Sequence, residues 1–459
     1  MNLDFPSLAR REFTRKDSMI EAAFHFPEGF LWGTATAAHQ VEGDNRLNDW
    51  WAWEQQPGRI LRGYRSGLAC DWWGGRWKED LDRAAAAGQN AHRLSVEWSR
   101  IEPSPGRWDD HALAFYRDVL SGMRTRGIEP LVTLHHFTNP LWLSEMGGWE
   151  NEAVIPHFEA FTRRTVAALQ DLADFWCTIN EPNVYAYSAI ASDDFPPGRN
   201  SIRAAFRVMR HQVLAHAAAY HAIHELQPGA RVGIASHYRG LTPHTGSPLD
   251  SLGVRMQSRI FNQLIPMALQ DGRFRFPIGR ERLAKVARTQ DYIGVNYYST
   301  DHVSFDLRRP GELFARRFYP QGSDLSEVGM NANVPEGMRM AIRWAHSFGL
   351  PIYITENGIE DESDSIRPRY LALHLHQVWK AINTGSPVRG YYHWTLVDSF
   401  EWERGWTQRF GLWALNPETQ ERIERSSGKF YAEICHENGL TSDMVRRYAP
   451  EIAGTLFPG

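Results

Sequence analysis

Two glutamates stand at the ends of apolar runs. Phe175-Trp176-Cys177-Thr178-Ile179-Asn180 leads to Glu181, and Pro351-Ile352-Tyr353-Ile354-Thr355 leads to Glu356, which Asn357-Gly358 follows as a turn signal. A charge at the end of a buried strand is costly unless it is partnered. Two facing carboxyl groups supply what acetal cleavage needs, a proton donor on one side and a nucleophile or base on the other. A spacing of about 5–5.5 Å implies retention through a covalent intermediate, and a wider one inversion. Surroundings divide the roles: a carboxyl beside a fixed cation stays ionised, while one beside another carboxylate and apolar walls is driven toward protonation. Arg93, within Ala91-His92-Arg93-Leu94-Ser95-Val96, is the candidate cation. Taken alone, Glu356 and Arg93 read as structural salt-bridge residues, and the rest of the chain has to decide between the readings.

The elements that position these residues follow a regular alternation. After the run Phe26–Gly33, short strands are expected at 91–96, 129–134, 175–179, 231–235, 292–295, 352–355 and 390–396. Between them the pattern predicts helices at 80–87, 113–126, 153–170, 201–226, around 254–270 and 280–288, 335–348 and 366–383. Eight buried-type strands alternating with helices and uninterrupted by a linker predict an α/β fold: one (β/α)8 TIM barrel with elaborated βα loops over residues 26–459, preceded by an irregular lead-in over 1–25. Gln40, Arg93, His136, Glu181, Asn296, Tyr298, Glu356 and Trp394 all fall at or just past the C-terminal ends of strands. In such a barrel those ends converge on the face that carries active sites.

Bulk properties narrow the ligand. The chain of 459 residues has a formal net charge of -4, which gives no basic surface for nucleic acid and no polybasic anchor for membrane lipid. Residues 1–23 lack a continuous apolar segment, and no later run is apolar for the length of a bilayer, so neither export nor membrane insertion is expected. Cys70, Cys177 and Cys435 are odd in number and widely spaced, which fits a reduced cytoplasm rather than a disulfide framework or a zinc site. The 18 tryptophans offer flat apolar platforms for the C–H faces of sugar rings. A small neutral ligand fits best, with no cofactor and no metal; nothing in the sequence sets an oligomeric state.

Several segments together resemble the β-glucosidase family, glycoside hydrolase family 1. They are Phe26 to Gly43, the His136 segment, Thr178-Ile179-Asn180-Glu181-Pro182, Asn296-Tyr297-Tyr298, Ile354-Thr355-Glu356-Asn357-Gly358 and Trp394 to Phe410, in the family's order across about residues 26–450. The resemblance implies a retaining exo-β-glycosidase with Glu181 as general acid then base and Glu356 as nucleophile. It assigns Arg93, Asn180, Asn296 and Tyr298 as catalytic support, with Tyr298 hydrogen-bonded to Glu356. Gln40, His136, Asn180, Glu401 and Trp402 would bond hydroxyls of the terminal sugar, Trp394 would stack beneath its ring, and Phe410 completes the substrate-binding set. Glu401 would repel a phosphate dianion, which favours a neutral glycoside. Terminal β-D-glucosyl residues are the first expectation, with β-galactoside or β-fucoside as the alternative; a catalytically silent sugar-binding barrel and a metal-dependent barrel hydrolase are the readings outside this class.

The chain departs from the family pattern at Phe137 (often Trp), Ser399 (usually Asn), Trp72 (often His) and the Val328-Gly329-Met330 segment, which lacks a Trp. Phe137 is expected to border the sugar pocket, and Trp72 and Ser399 to affect packing. Arg308, Arg309, Arg316 and Arg317 lie in the loop after strand six, which either favours an aromatic or anionic leaving group or is a solvated charged loop. His211, His216, His221 and His224 share one helix and read as packing or surface residues, since no carboxylate and cysteine set completes a metal shell around them.

Overall fold

The computed structural model of the protein describes residues 22–309 and 312–458. Eight parallel strands close a barrel: β1 (Leu31–Ala35), β2 (Ala91–Ser95), β3 (Glu129–His135), β4 (Phe175–Asn180), β5 (Arg231–His237), β6 (Ile293–Asn296), β7 (Ile352–Asn357) and β8 (Val388–Trp394). Each strand pairs with its sequence neighbour, and β8 closes onto β1 through Gly390–Leu31 to Trp394–Ala35. The principal helices between and after them are α1 (Trp77–Ala86), α2 (Asp110–Thr125), α3 (Val154–Leu169), α4 (Ile202–Leu226), α5 (Leu264–Asp271), α6 (Pro335–His346), α7 (Arg367–Asn383) and α8 (Ser426–Glu437).

Helices cover the strands from outside, so both strand faces are buried and the strands read as nearly continuous apolar runs. In β7 the alternation is visible: Ile352 and Ile354 join the cluster containing Met338, Leu371 and Leu375 of α6 and α7, while Tyr353 belongs to the other core. Phe175, Tyr292 and Tyr353 pack ring against ring, with centroids 4.8–5.5 Å apart, at the N-terminal ends of β4, β6 and β7. These rings close one end of the barrel with dispersion contacts and leave the polar residues to the other end. Right after Glu356 and Asn357, a Cβ on Gly358 would sit 2.1 Å from the Trp394 carbonyl oxygen, so only glycine lets β7 and β8 leave the barrel side by side.

Two expectations need correction. The helix expected at 280–288 is a single tight turn, Ala284–Val286. Its neighbours are held instead by backbone bonds from Phe274 N–H to the Glu281 carbonyl and from Leu283 N–H to the Gly272 carbonyl, and by an Arg210–Glu281 ion pair. Tertiary pairing overrides helix propensity there. The helical stretch expected around 254–270 is present as a continuous run, Pro248–Ser258, a π-turn at Arg259–Gln263 and α5. Of the expected lead-in, residues 1–21 lie outside the described residues, whereas Ala23–His25 form a strand paired with Gly439–Thr441. No helix among the described residues is long and apolar enough to cross a membrane.

Candidate active site

Arg93 organises the mouth of the barrel. Its side chain is fully buried. Nη1 donates to Glu356 Oε1 at 2.5 Å, Nη2 to Asn180 Oδ1 at 2.6 Å, and Nε to Thr133 Oγ1 at 3.1 Å. The Tyr298 hydroxyl donates to the other Glu356 oxygen, Oε2, at 2.7 Å. Both oxygens of Glu356 therefore accept from protein donors, an arrangement that favours the ionised carboxylate. Burial works the other way and lifts the Glu356 pKa to about 7; Arg93 and Tyr298 pull it down, and the charge of Glu181 pushes it up. Burial and the neighbouring carboxylates keep the Tyr298 phenol well above its ordinary pKa, so it remains a donor.

Glu181 is held differently. It follows β4 at φ 43°, a left-handed conformation that turns its side chain out of the strand direction, and its N–H donates to the Ala235 carbonyl at 2.7 Å. Thr355, beside Glu356, donates through Oγ1 to Asn296 Oδ1 at 2.6 Å, which fixes the amide so that Asn296 Nδ2 donates to Glu181 Oε1 at 2.8 Å. His237 Nδ1 meets the same oxygen at 3.0 Å. Two partners thus converge on Oε1, the Asn296 amide donating and the His237 ring nitrogen beside it, and Oε2 has no hydrogen-bond partner among the described residues. The two carboxyl groups are linked through Asn296, Asn180 and Arg93 in turn but differ in how many of their oxygens the protein holds.

The same reasoning fixes a histidine tautomer. Asn180 Oδ1 accepts from Arg93 and, at 3.1 Å, from Asn296 Nδ2, so its amide nitrogen must be the atom facing His136 Nε2, at 3.0 Å. Burial, Arg93 and His135 hold the His136 pKa well below its ordinary value, so the ring is neutral. With Nε2 accepting, the proton sits on Nδ1. That nitrogen is buried without a partner among the described residues, as is Gln40 Oε1. Gln40 Nε2 donates to the Phe400 carbonyl at 2.8 Å and to Glu401 Oε2 at 3.0 Å. Burial raises the Glu401 pKa well above the usual range, Glu403 adds to this and Gln40 opposes it; a carboxyl held toward its neutral form donates as well as accepts.

A cavity of about 420 Å3 opens over these groups. His136, Trp394, Glu401, Trp402 and Phe410 line it together with Glu181, Glu356 and Tyr298. Arg93, Asn180, Asn296 and Gln40 are buried beside this lining and bonded to groups within it. Trp394 and Trp402 stack on the His136 ring at 6.0 and 5.9 Å. Phe137 lines the cavity and packs against Trp402 and Phe195, while Trp72 Nε1 donates to buried Asp80 and Ser399 is buried.

Of the four loop arginines, Arg317 alone among them lines the cavity; Arg308 pairs with Asp306, Arg309 with Glu312, and Arg316 is exposed. The α4 histidines contact neighbouring segments: His211 the Trp149 carbonyl, His216 Thr178 and the Thr289 carbonyl, His221 the Lys285 carbonyl, and His224 Asp291. His237 was missed from sequence because strand five was expected to end at Ala235. The rule that polar residues just past strand ends gather at the site would have selected it once the strand was carried to its true end.

A closed parallel barrel with two linked carboxyl groups, neutral hydroxyl-binding partners and tryptophan platforms at one mouth defines a barrel glycosidase. Residues 22–440 match the family model of glycosyl hydrolase family 1. Beta-glucosidase A of Thermotoga maritima is 32% identical over 445 residues, covering 90% of this chain and 98% of that one. A beta-galactosidase of Pyrococcus woesei is 31% identical, covering 91% and 98%. Among solved structures, a beta-glycosidase from Pyrococcus horikoshii superposes with a TM-score of 0.87 at 35% identity, covering 93% of this chain and 98% of that one. The chain belongs to glycosyl hydrolase family 1 and is an O-glycosyl hydrolase of the β-glycosidase type.

Proposed function

We propose that the enzyme releases terminal β-D-glucosyl residues from small neutral glycosides by double displacement, with net retention. The observation that carries this reading is the asymmetry of the two carboxyls. Glu356, with donors on both oxygens, is the nucleophile; Glu181, whose Oε2 is left without a protein partner among the described residues, is the acid and base. In the first step Glu356 attacks the anomeric carbon while Glu181 gives its proton to the departing glycosidic oxygen. The C–O bond to the leaving group breaks as the glycosyl ester forms. In the second, the Glu181 carboxylate takes a proton from water, whose oxygen displaces Glu356 from the anomeric carbon. Arg93 and the Tyr298 hydroxyl stabilise the Glu356 carboxylate each time it is freed. The unpartnered His136 Nδ1–H and Gln40 Oε1, together with the Glu401 carboxyl, are the principal hydroxyl partners, and Trp394 is the platform.

Glucoside preference is supported by the beta-glucosidase names among the relatives; the beta-galactosidase of Pyrococcus woesei keeps the galactoside reading in view. A panel of 4-nitrophenyl glycosides followed by NMR tests both levels. The β-glucoside is expected to give the highest kcat/KM, with the β-anomer as first product; an α-anomer formed first would refute retention, and a faster galactoside or fucoside would refute the substrate. Residence in a reducing cytoplasm fits the three buried thiols Cys70, Cys177 and Cys435.

Tyr298→Phe tests how the nucleophile is kept ionised. The phenol hydrogen bond lowers the Glu356 pKa, so its removal raises it. Glu356 is then protonated at higher pH, and the acid limb of the kcat/KM profile moves up by about one unit. An acid limb that stays put would show that Tyr298 does not hold the nucleophile.

His237→Ala tests the support of Glu181. Losing one of the two hydrogen-bond partners of Oε1 is expected to cost about 10-fold or more in kcat/KM with a poorly acidic leaving group and far less with 2,4-dinitrophenol. Equal losses on both substrates would assign His237 to packing alone.

A further inference from the structure

Beyond Glu181 the cavity changes character. A leaving group lies on the side of the residue that protonates it, and the chain that continues from Glu181 builds that side. The single turn Pro182–Tyr185 and the π-turn Ala186–Ala191 bring Val184 and Tyr187 to the wall. Across from them the first two turns of α4 contribute Ile202, Ala205, Phe206 and Met209, all lining the cavity. Their i, i+3, i+4, i+7 spacing makes one apolar stripe, the kind a helix normally buries against a core. Here the stripe is divided: Ala205 and Met209 are buried at the base of the wall, Phe206 is half-buried, and Ile202 remains 46% exposed, as Tyr187 does at 42%. The π-turn Arg259–Gln263 adds Ile260 and Phe261.

The polar side chains on this side are largely committed to the protein. Arg239 is doubly bonded to Asp301, Gln257 donates to the Glu312 carbonyl, Asn331 donates to Glu360 and Arg404 pairs with Glu403. A second sugar would need convergent donors and acceptors like those at the Trp394 end, and a mismatched polar ligand forfeits its hydrogen bonds to water. Exposed apolar side chains gathered in a cavity gain from covering by an apolar body.

We propose that this half of the cavity receives an elongated apolar leaving group, an alkyl or terpenoid-like alcohol rather than a sugar, so that the natural substrates are amphiphilic β-glycosides. Ile202, Phe206 and Met209 of α4 and Ile260 and Phe261 of the π-turn are the specificity-determining wall. Arg317 also stands among the lining residues. The proposal rests on Glu181 being the acid, since that places the leaving group.

A series of n-alkyl β-D-glucosides from methyl to octyl, kept below micellar concentrations, isolates the effect because the leaving-group acidity barely changes along it. The kcat/KM is expected to rise by about threefold per added methylene until the chain reaches the mouth. Octyl glucoside is expected to exceed cellobiose by more than tenfold. Phe206→Asn and Ile202→Asn are expected to reduce the octyl-to-methyl ratio, a quantity that partial loss of folded enzyme leaves unchanged. A flat alkyl series, or cellobiose as the better substrate, overturns the proposal while normal turnover of 4-nitrophenyl β-D-glucoside leaves the parent reading standing. Absence of aryl-glucoside turnover overturns both.

Discussion

Replacing Glu356 with Ala is expected to lower hydrolysis of aryl β-D-glucosides by about 10^5-fold, with the protein still folded. The loss is large because nothing near the anomeric carbon can replace the carboxylate: the remaining oxygens on that side are the Tyr298 hydroxyl, held protonated, and the Thr355 carbonyl, which accepts from Arg93 at 3.4 Å. Removing the side chain also leaves the fully buried Arg93 without its anionic partner, so some stability is lost as well; breaking a buried pair costs about 3–5 kcal/mol. Azide, small and anionic, can enter the space vacated beside Arg93 and attack in its place. The expected product is the α-glucosyl azide, inverted because only one displacement has occurred. Turnover within tenfold of the parent enzyme would remove Glu356 from the role of nucleophile.

Glu181→Ala separates the two steps. With a poorly acidic leaving group, the first step loses about 10^2–10^4-fold, the typical contribution of general acid catalysis. With 2,4-dinitrophenyl glucoside the bond breaks without that proton, so the glycosyl enzyme forms and accumulates, visible as a burst of dinitrophenol followed by slow release. Azide then attacks the ester without needing a base and returns the β-azide. The two variants thus yield opposite anomers from one reagent. Equal losses across leaving groups, with no burst, would refute the role of Glu181.

Much of this site was legible because a barrel turns a one-dimensional pattern into a place. Residues such as His136, Glu181, Asn296 and Glu356 are far apart in the chain, yet each follows an apolar strand, and the strand ends meet at one mouth. What the chain could not display was direction and competition. Asn180 and Gln40 read as sugar ligands by type and position, and only the structure shows that Arg93, Asn296 and Glu401 also compete for their polar atoms, leaving Gln40 Oε1 unpartnered among the described residues. The stripe Ile202, Ala205, Phe206 and Met209 has the spacing of a core face, and only the packing of neighbouring turns decides whether that face meets other side chains or a cavity. The segment 280–288 failed as a helix for a similar reason, because distant backbone groups offered better partners than its own.

Asn180 carries a consequence that reaches past its three contacts. An amide has two ends of opposite sense, and Arg93 settles which end faces it; the other end then dictates where the imidazole of His136 keeps its hydrogen. The charge required to hold the attacking carboxylate is thereby translated, two links away, into the donor the sugar meets. Recognition and reactivity share one orientation of polarity, and a substitution that reverses it at one end rewrites it at the other.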